Sequence, residues 1–173
     1  MEQGGGCTGI PGQVEMKINL LCVGHSRGVV GPAIAEYEER ARRYWRLQVR
    51  EVEAGAGRSG KADPDQVRKA EEDRLLARLP ERSQIVALSR EGKRLSSRDL
   101  ARFLEERALR SVEAVTFVIG GAFGLGRGIL ERSTLVLSLS AMTLPHEIAR
   151  LVLVEQLYRA GTIGRNEPYH KGP

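Results

Sequence analysis

Cysteine is scarce in this chain of 173 residues, which contains only Cys7 and Cys22. Two cysteines have neither the number nor the spacing of a disulfide framework or a zinc site. The three histidines form no metal-ligand pattern either, so we expect no metal. These absences favour a reducing cytoplasm, where Cys22, inside an apolar run, would be a small core residue.

Long apolar runs are also lacking. None approaches the roughly 20 residues that cross a bilayer, so we expect a soluble protein without a membrane partner. Residues 1–15, "MEQGGGCTGIPGQVE", have neither the basic start nor the apolar centre of a secretory signal. We interpret them as a flexible extension outside the fold. Residues 16–173 then suffice for one domain with a real core.

Positive charge is in excess, with a formal net charge of +5 and a pI of about 9.6. Such a balance favours a polyanionic partner, although many basic proteins bind none. The basic residues concentrate at a predicted helix end and in a glycine-rich loop: Arg42, Arg43 and Arg46 around Tyr44 and Trp45, and Arg58 with Lys61. Each group either faces RNA or is a solvated surface. If the helix end is a solvated surface, its two aromatic side chains are packed inward.

Five short apolar segments alternate with helical patterns along the chain. The predicted strands are 17–24, 47–54, 83–90, 112–120 and 134–140, and the predicted helices are 31–45, 64–79, 97–110, 128–133 and 145–160. This alternation predicts an α/β fold with a mostly parallel sheet and helices on both faces. In such folds, ligands bind at the carboxyl ends of the strands.

Three helices carry additional signals. Asp63 with Gln66, and Ser96 with Asp99, have the spacing of capping boxes. The helix after Ser96 is expected to present four apolar side chains to a core, namely Leu100, Phe103, Leu104 and Leu109. The last helix is apolar around most of its circumference and therefore needs cover on more than one side.

A glycine-rich loop, "FVIGGAFGLGRG", follows the fourth strand. A dinucleotide fingerprint would need a third glycine where Ile129 stands, and a P-loop would need Lys and Ser or Thr where Arg127 and Gly128 stand. Both phosphate-binding patterns fail. The glycines either only permit a sharp turn or, with the loop in "LSLSAMTLPHE", wrap a neutral adenine-bearing ligand through main-chain contacts and apolar walls.

Three separated motifs resemble one known family. "VIGGAFGLG", "LSLSAMTLPHEIARLVLVEQLYRA" and the terminal "NEPYHK", together with "VGH" and "EGKRLSSRDLARFLEE", are similar to the SPOUT-class methyltransferases of the RlmH type. These enzymes methylate N3 of a pseudouridine in 23S ribosomal RNA. The resemblance spans 16–171 and leaves residues 1–15 without a counterpart, which makes Met16 a candidate native start.

The resemblance implies a C-terminal trefoil knot, a rare exception to unthreaded topology. It also implies S-adenosylmethionine bound in the knot, a homodimer with its active site at the interface, and assembled ribosomes as substrate. The cofactor-binding residues carried over from the family motifs are Leu88, Gly120, Gly121, Ser140, Ala141, Met142, Thr143, Leu144 and Pro145.

Transfer to N3 requires removal of an acidic imide proton and alignment of the base with the methyl group. Histidine is the residue type that most readily exchanges a proton near neutral pH, so His170 is the candidate proton acceptor or positioning group, unless it is only a solvated tail residue. Tyr169 either contacts the base or anchors the tail by packing. Glu155 and Arg159, one helical turn apart, form either a surface ion pair or a partly buried pair that meets the RNA.

Two other histidines lie close to these motifs. His146 begins the last helix beside the cofactor loop and either caps that helix or binds substrate, and His25 is interpreted as a loop residue. Other functions stay open: a SPOUT enzyme that methylates another RNA nucleotide, or a ribosome-binding factor without catalysis. The failed dinucleotide fingerprint disfavours a nicotinamide oxidoreductase.

Overall fold

The computed structural model of the protein describes residues 16–55 and 63–171. The predicted extension 1–15, and Arg58 and Lys61 of the basic loop, lie outside the described residues. The elements are β1 (Lys17–Val23), α1 (Gly31–Arg42), β2 (Arg46–Val52), α2 (Pro64–Leu76), β3 (Gln84–Arg94), α3 (Ser97–Leu109), β4 (Ala114–Ile119), α4 (Arg127–Arg132), β5 (Leu135–Ser138) and α5 (His146–Gly164).

The five strands form one sheet in the order β2-β1-β4-β3-β5, and every neighbouring pair is parallel. Parallel neighbours need crossover connections, which the intervening helices provide. The predicted α/β fold with a parallel sheet is therefore confirmed. The trefoil knot implied by the resemblance stays a prediction.

Helices cover both faces of the sheet, as predicted. One core contains Leu20 and Phe117 of the sheet with Leu153 and Leu157 of α5, and a second core on the other face contains Val118 and Ile129. Successive strand side chains point to opposite faces, which is why a parallel strand covered on both sides is apolar throughout. Helix α5 packs against α1, α3 and the sheet, which explains its apolar circumference.

The Ser96–Asp99 capping box is confirmed: Asp99 N donates to Ser96 Oγ at 3.1 Å, and Ser96 N donates to Asp99 Oδ2 at 3.3 Å. The box predicted at Asp63 is wrong, because Asp63 makes no side-chain cap hydrogen bond. Pro64 follows it at the first helical position, where its fixed φ already suits the helix and it has no N–H to cap.

The prediction that Leu109 enters the core is also wrong, since this side chain is 79% exposed. Leu100 and Leu104 are buried as expected. At 3.6 residues per turn, Leu109 lies about half a turn around α3 from Leu100. It therefore points away from the face that the rest of the helix buries.

Strand β3 is longer than predicted because it contains a bulge. Leu88 and Lys93 both pair with Leu137 of β5, so residues 89–92 leave the ladder and the strand then continues to Arg94. A Cβ on Gly92 would lie 2.6 Å from the carbonyl oxygen of Val136. Because that neighbour is backbone, only glycine lets the bulge close against β5.

We predict that Gly92→Ala lowers the free energy of unfolding by about 1–3 kcal/mol, because the new methyl group must push two backbones apart. Urea unfolding measures the change. Gly164→Ala is the control, since Gly164 ends α5 and nothing lies within 4 Å of a Cβ there. Equal stability of the two variants would contradict the close approach at Gly92.

Candidate active site

A cavity of about 900 Å³ opens at the carboxyl ends of the strands. Its walls come from the β3 bulge, the glycine loop after β4, the loop after β5 and the first turn of α5. Carboxyl ends of parallel strands meet at one edge of the sheet, which brings these segments together although they are distant in sequence. The cavity thus lies where the sequence pattern predicted a ligand.

Most residues proposed from the resemblance line this cavity. They are Leu88, Gly120, Gly121, Ser140, Met142, Thr143, Leu144 and Pro145. Ala141 is exposed and is not among the lining residues. The sequence patterns missed Ser89, Arg90 and Glu91, which reach the wall only because the bulge turns them out of the β3 ladder. Gly92, which follows the predicted strand 83–90, was the sequence signal that could have indicated the bulge.

The glycine loop packs against two buried carboxylates of α2 that the sequence patterns did not single out. Glu71 is 3% exposed and Glu72 8% exposed. A Cβ on Gly121 would lie 2.7 Å from Glu71 Oε2, and one on Gly126 would lie 2.6 Å from Glu72 Cδ. These glycines therefore make room for acidic side chains, besides shaping the cavity wall.

Part of this acidic pair lacks hydrogen bonds. Glu71 Oε1 accepts from Gly55 N at 2.8 Å. Within the described ranges, Glu71 Oε2 and Glu72 Oε1 have no hydrogen-bond partner. An unsatisfied buried carboxylate oxygen is costly, so these two oxygens lower the stability of the contact between α2 and the glycine loop.

The four candidate catalytic residues form one cluster. Arg159 donates from Nε at 3.1 Å and from Nη2 at 2.5 Å to Glu155 Oε1, and Tyr169 OH donates to the same oxygen at 3.1 Å. The Arg159 guanidinium stacks over the Tyr169 ring at 4.7 Å, and Arg159 Nη1 lies 3.5 Å from His170 Nδ1. Glu155 and Arg159 are partly buried, as the apolar helix suggested.

Tyr169 is held as a hydroxyl donor. Burial raises its pKa, and hydrogen bonds with Tyr37 and Glu155 raise that pKa further. Its ring also packs edge-on against Tyr158, with centroids 4.6 Å apart. Tyr169 therefore anchors the C-terminal segment to α1 and α5, and its hydroxyl stays protonated.

His170 lies between two guanidinium groups. Besides the contact with Arg159, its Nε2 lies 3.5 Å from Arg98 Nε of α3. A neutral imidazole has one lone pair on the ring nitrogens and therefore accepts only one of these two contacts. The imidazole is thus placed by cations on both sides of the ring.

The cavity and the catalytic cluster do not meet within one chain. None of the four clustered residues lines the cavity, while His146 at the start of α5 does. Thirteen residues of α-helix separate His146 from Arg159, which corresponds to about 20 Å along the helix axis. The cavity and the cluster therefore lie at different heights of α5.

A chain of charged groups lies beside the cavity. Arg150 of α5 is buried and donates to Glu38 Oε1 at 3.0 and 2.8 Å and to Glu51 Oε1 at 2.5 Å. His25 Nδ1 lies 2.5 Å from Glu51 Oε2, and His25 Nε2 lies 3.2 Å from Glu53 Oε1. His25 is a loop residue, as predicted, but with two carboxylate partners that the sequence pattern did not indicate.

We predict that His25 contributes pH-dependent stability. Hydrogen bonds to Glu51 and then to Glu53 raise the pKa of His25 above its ordinary 6.5. A raised pKa gives stability that is fully present below the unfolded pKa and is lost as pH rises through the folded pKa. The melting temperature of His25→Gln should therefore fall below that of the wild type at acidic pH and approach it at alkaline pH. A difference that does not change with pH, or an NMR titration below 6.5, would contradict this.

The aromatic residues of the basic helix end pack inward. Trp45 Nε1 donates to the Leu157 carbonyl at 2.8 Å, and the Tyr44 ring lies against Gly161 while its hydroxyl bonds to Glu167. Arg42 pairs with Glu38 and Glu39, and Arg43 and Arg46 are exposed. Packing accounts for the aromatic residues, and contact of the arginines with RNA stays a prediction.

Two further expectations concern metal binding and membrane insertion. Within residues 16–55 and 63–171, no three His, Cys, Asp or Glu side chains are grouped so that they could hold a metal ion. In the same part of the chain, no helix combines the length and apolar character needed to cross a membrane.

Cys22 is buried, and burial raises its pKa to about 12, which suits a core residue.

Comparison with known proteins gives consistent matches. Residues 16–170 match the family model described as "Predicted SPOUT methyltransferase". Three similar proteins share the name "Ribosomal RNA large subunit methyltransferase H". The protein of Gemmatimonas aurantiaca is 49% identical over 90% of this chain and 100% of its own length. Those of Syntrophotalea carbinolica and Carboxydothermus hydrogenoformans are 47% and 42% identical over 90% of this chain and over 99% and 100% of their own lengths.

Proposed function

The chain belongs to the SPOUT methyltransferase family, and we propose that it transfers a methyl group from S-adenosylmethionine to N3 of a pseudouridine in 23S ribosomal RNA on assembled ribosomes. The observation that carries this proposal is the cavity, whose wall contains eight of the nine cofactor residues expected from the family motifs. The relatives named for large-subunit ribosomal RNA support the substrate class.

The cavity fits S-adenosylmethionine in size and chemistry. Its volume is within the usual range of ligand pockets, about 300–1,000 Å³. Leu88, Ile119 and Leu137 offer apolar walls for an adenine ring, and the glycine loop at Gly120 and Gly121 offers main-chain groups for polar contacts. When bound, the cofactor supplies an electrophilic sulfonium methyl group, so a metal ion has no necessary role.

His170 is the proposed proton acceptor for the N3 proton. Glu155 Oε1 already accepts three hydrogen bonds, and Tyr169 remains a donor, which leaves the imidazole as the basic group of the cluster. The Arg159 guanidinium, 3.5 Å from His170, would stabilise the negative charge that develops on the base. The proton would pass to a ring nitrogen, and the freed N3 electron pair would bond to the methyl group as the bond between that methyl group and sulfur breaks.

A homodimer is proposed because one chain does not bring the cluster to its own cavity. In a symmetric dimer, the cluster of one protomer can face the cavity of its partner. Ile148, Leu151 and Val152 on α5 are only partly buried and offer apolar area for such a contact. Each active site would then combine a cavity from one protomer with a cluster from the other.

Complementation between two inactive variants tests this arrangement. We predict that Gly121→Val, which impairs the cavity, and His170→Ala, which removes the proton acceptor, are each inactive alone. After subunit exchange, half of the dimers are mixed and each has one intact site, so about a quarter of the wild-type rate should return. Mixed dimers isolated with two different tags but without activity would contradict a shared site.

Mass spectrometry of ribosomal RNA tests the substrate. Ribosomes from cells without the gene should lack a methyl group on one pseudouridine, and purified protein with S-adenosylmethionine should restore it. Methylation of a different nucleotide would favour another SPOUT activity. Calorimetry that detects no binding of S-adenosylmethionine would favour a non-catalytic ribosome-binding factor.

A further inference from the structure

We infer that Ser97 and Gln156 are positioning residues that hold the Glu155 carboxylate in the orientation which the catalytic cluster requires. The inference rests on the proposed function and adds two residues to it. Ser97 begins α3 and Gln156 lies on α5, so the contact joins two helices that pack against each other.

The two oxygens of Glu155 have different partners. Oε1 accepts from Arg159 and from Tyr169, and Oε2 accepts from Gln156 Nε2 at 2.6 Å. Rotation of the carboxylate would therefore break contacts on both sides. Gln156 opposes that rotation, because its amide holds the oxygen that faces away from the catalytic residues.

Gln156 is oriented in turn by Ser97, whose Oγ lies 2.6 Å from Gln156 Oε1. An ionised carboxylate only accepts hydrogen bonds, so the Gln156 atom that faces Glu155 must be the NH₂ group. The amide oxygen then faces Ser97, and the hydroxyl must donate to it. Hydrogen-bond chemistry thus allows one direction for the whole relay, from Ser97 through Gln156 to Glu155.

The neighbouring serine provides a matched control. Ser96 caps α3 through Asp99, whereas Ser97 donates to Gln156. Ser96→Ala should lower the melting temperature by about 2–4 °C and leave kcat unchanged. Ser97→Ala should leave the melting temperature nearly unchanged and lower kcat about tenfold, with the same affinity for S-adenosylmethionine. Ser97→Thr keeps the hydroxyl and should keep the rate.

Gln156→Glu gives a readout that a merely structural role would not change. At low pH the two carboxyl groups share a proton, and the new side chain can still donate to Glu155. As pH rises through the raised apparent pKa of the pair, that donor is lost. Among the described residues, Arg159 of α5 and Tyr169 of the C-terminal segment contact Glu155. Tyr37 of α1 contacts Tyr169, and His170 lies between Arg159 and Arg98 of α3. The kcat of Gln156→Glu relative to the wild type should fall steadily with pH, whereas that of Gln156→Ala should stay level.

Equal kcat values for Ser97→Ala and Ser96→Ala, or a level pH ratio for Gln156→Glu, would overturn the relay. If the wild type binds S-adenosylmethionine but methylates no RNA, the proposed function fails. NMR of the Arg159 Nε–H group then decides about the relay on its own. Its signal should shift in Ser97→Ala and not in Ser96→Ala, and an unchanged signal in both would overturn the inference.

Discussion

Replacement of Arg150 by methionine is expected to lower the free energy of unfolding by about 3–5 kcal/mol, because it removes the most buried cationic partner of two carboxylates. Arg42, 3.8 Å from Glu38, and His25, beside Glu51, remain as more exposed partners. Glu38 is itself buried and receives two hydrogen bonds from this guanidinium, and Glu51 receives a third. The lost energy is mainly the cost of charges that remain in a medium of low dielectric.

The effect of Arg150→Met should diminish in acid. Burial alone would raise the pKa of Glu51, but hydrogen bonds from Arg150 and His25 outweigh it and lower that pKa. A lowered pKa gives stability that is present above the unfolded pKa and is lost as pH falls through the folded pKa. Urea unfolding from neutral to acidic pH measures the gap between variant and wild type.

An exposed arginine serves as the control for Arg150. Arg127 pairs with Glu131 on the surface of α4, and its removal should change stability by no more than about 0.5 kcal/mol. If Arg150→Met and Arg127→Met unfold at the same urea concentration, the buried network does not stabilise the fold.

Arg159→Ala is expected to lower kcat/KM for methyl transfer about 10²–10³-fold, since it removes the cation that would stabilise charge on the base. The same change releases Glu155 Oε1 and the Tyr169 ring from their contacts. Single-turnover assays on ribosomes measure the rate. Calorimetry should find unchanged affinity for S-adenosylmethionine, because Arg159 does not line the cavity of its own chain and is proposed to act on the base.

Arg165 provides a comparison at the end of the same helix. Its guanidinium stacks over Tyr44 at 4.6 Å and donates to the Arg43 carbonyl at 3.2 Å, outside the catalytic cluster. Arg165→Ala should therefore keep most of the activity. Similar losses in both variants would point to general binding of RNA by positive charge and would remove Arg159 from its catalytic role.

The sequence pattern was sufficient for the elements and their layers. Apolar periodicity reports burial, so the five strands, the two covered faces and the enclosed last helix could all be predicted. Local signals worked where the partners are close in sequence, as at Ser96 and Asp99. They failed at Leu109. This residue is apolar, but it lies on the side of α3 that faces away from the core.

Contacts between distant residues could not be predicted in this way. Tyr37 and Tyr169 are separated by 132 positions. Glu71 of α2 packs against Gly121 of the glycine loop, which is also distant in sequence. A strand pattern also does not encode a register shift, which is why the bulge of β3 and its contribution to the cavity were missed. Eight of the nine cofactor residues that the resemblance supplied do converge on one cavity, because motifs at strand ends share one edge of the sheet.

The enclosed position of α5 also has a consequence for the order of events during synthesis. This last helix fills the space against α1 and α3, and its contacts with Glu38 and Trp45 span 112 residues of sequence. Contacts of such long range slow folding, and a nascent chain that ends before α5 leaves the apolar side chains of the sheet around Phe117 without their cover. We therefore expect one core to close only after the C-terminal segment has left the ribosome.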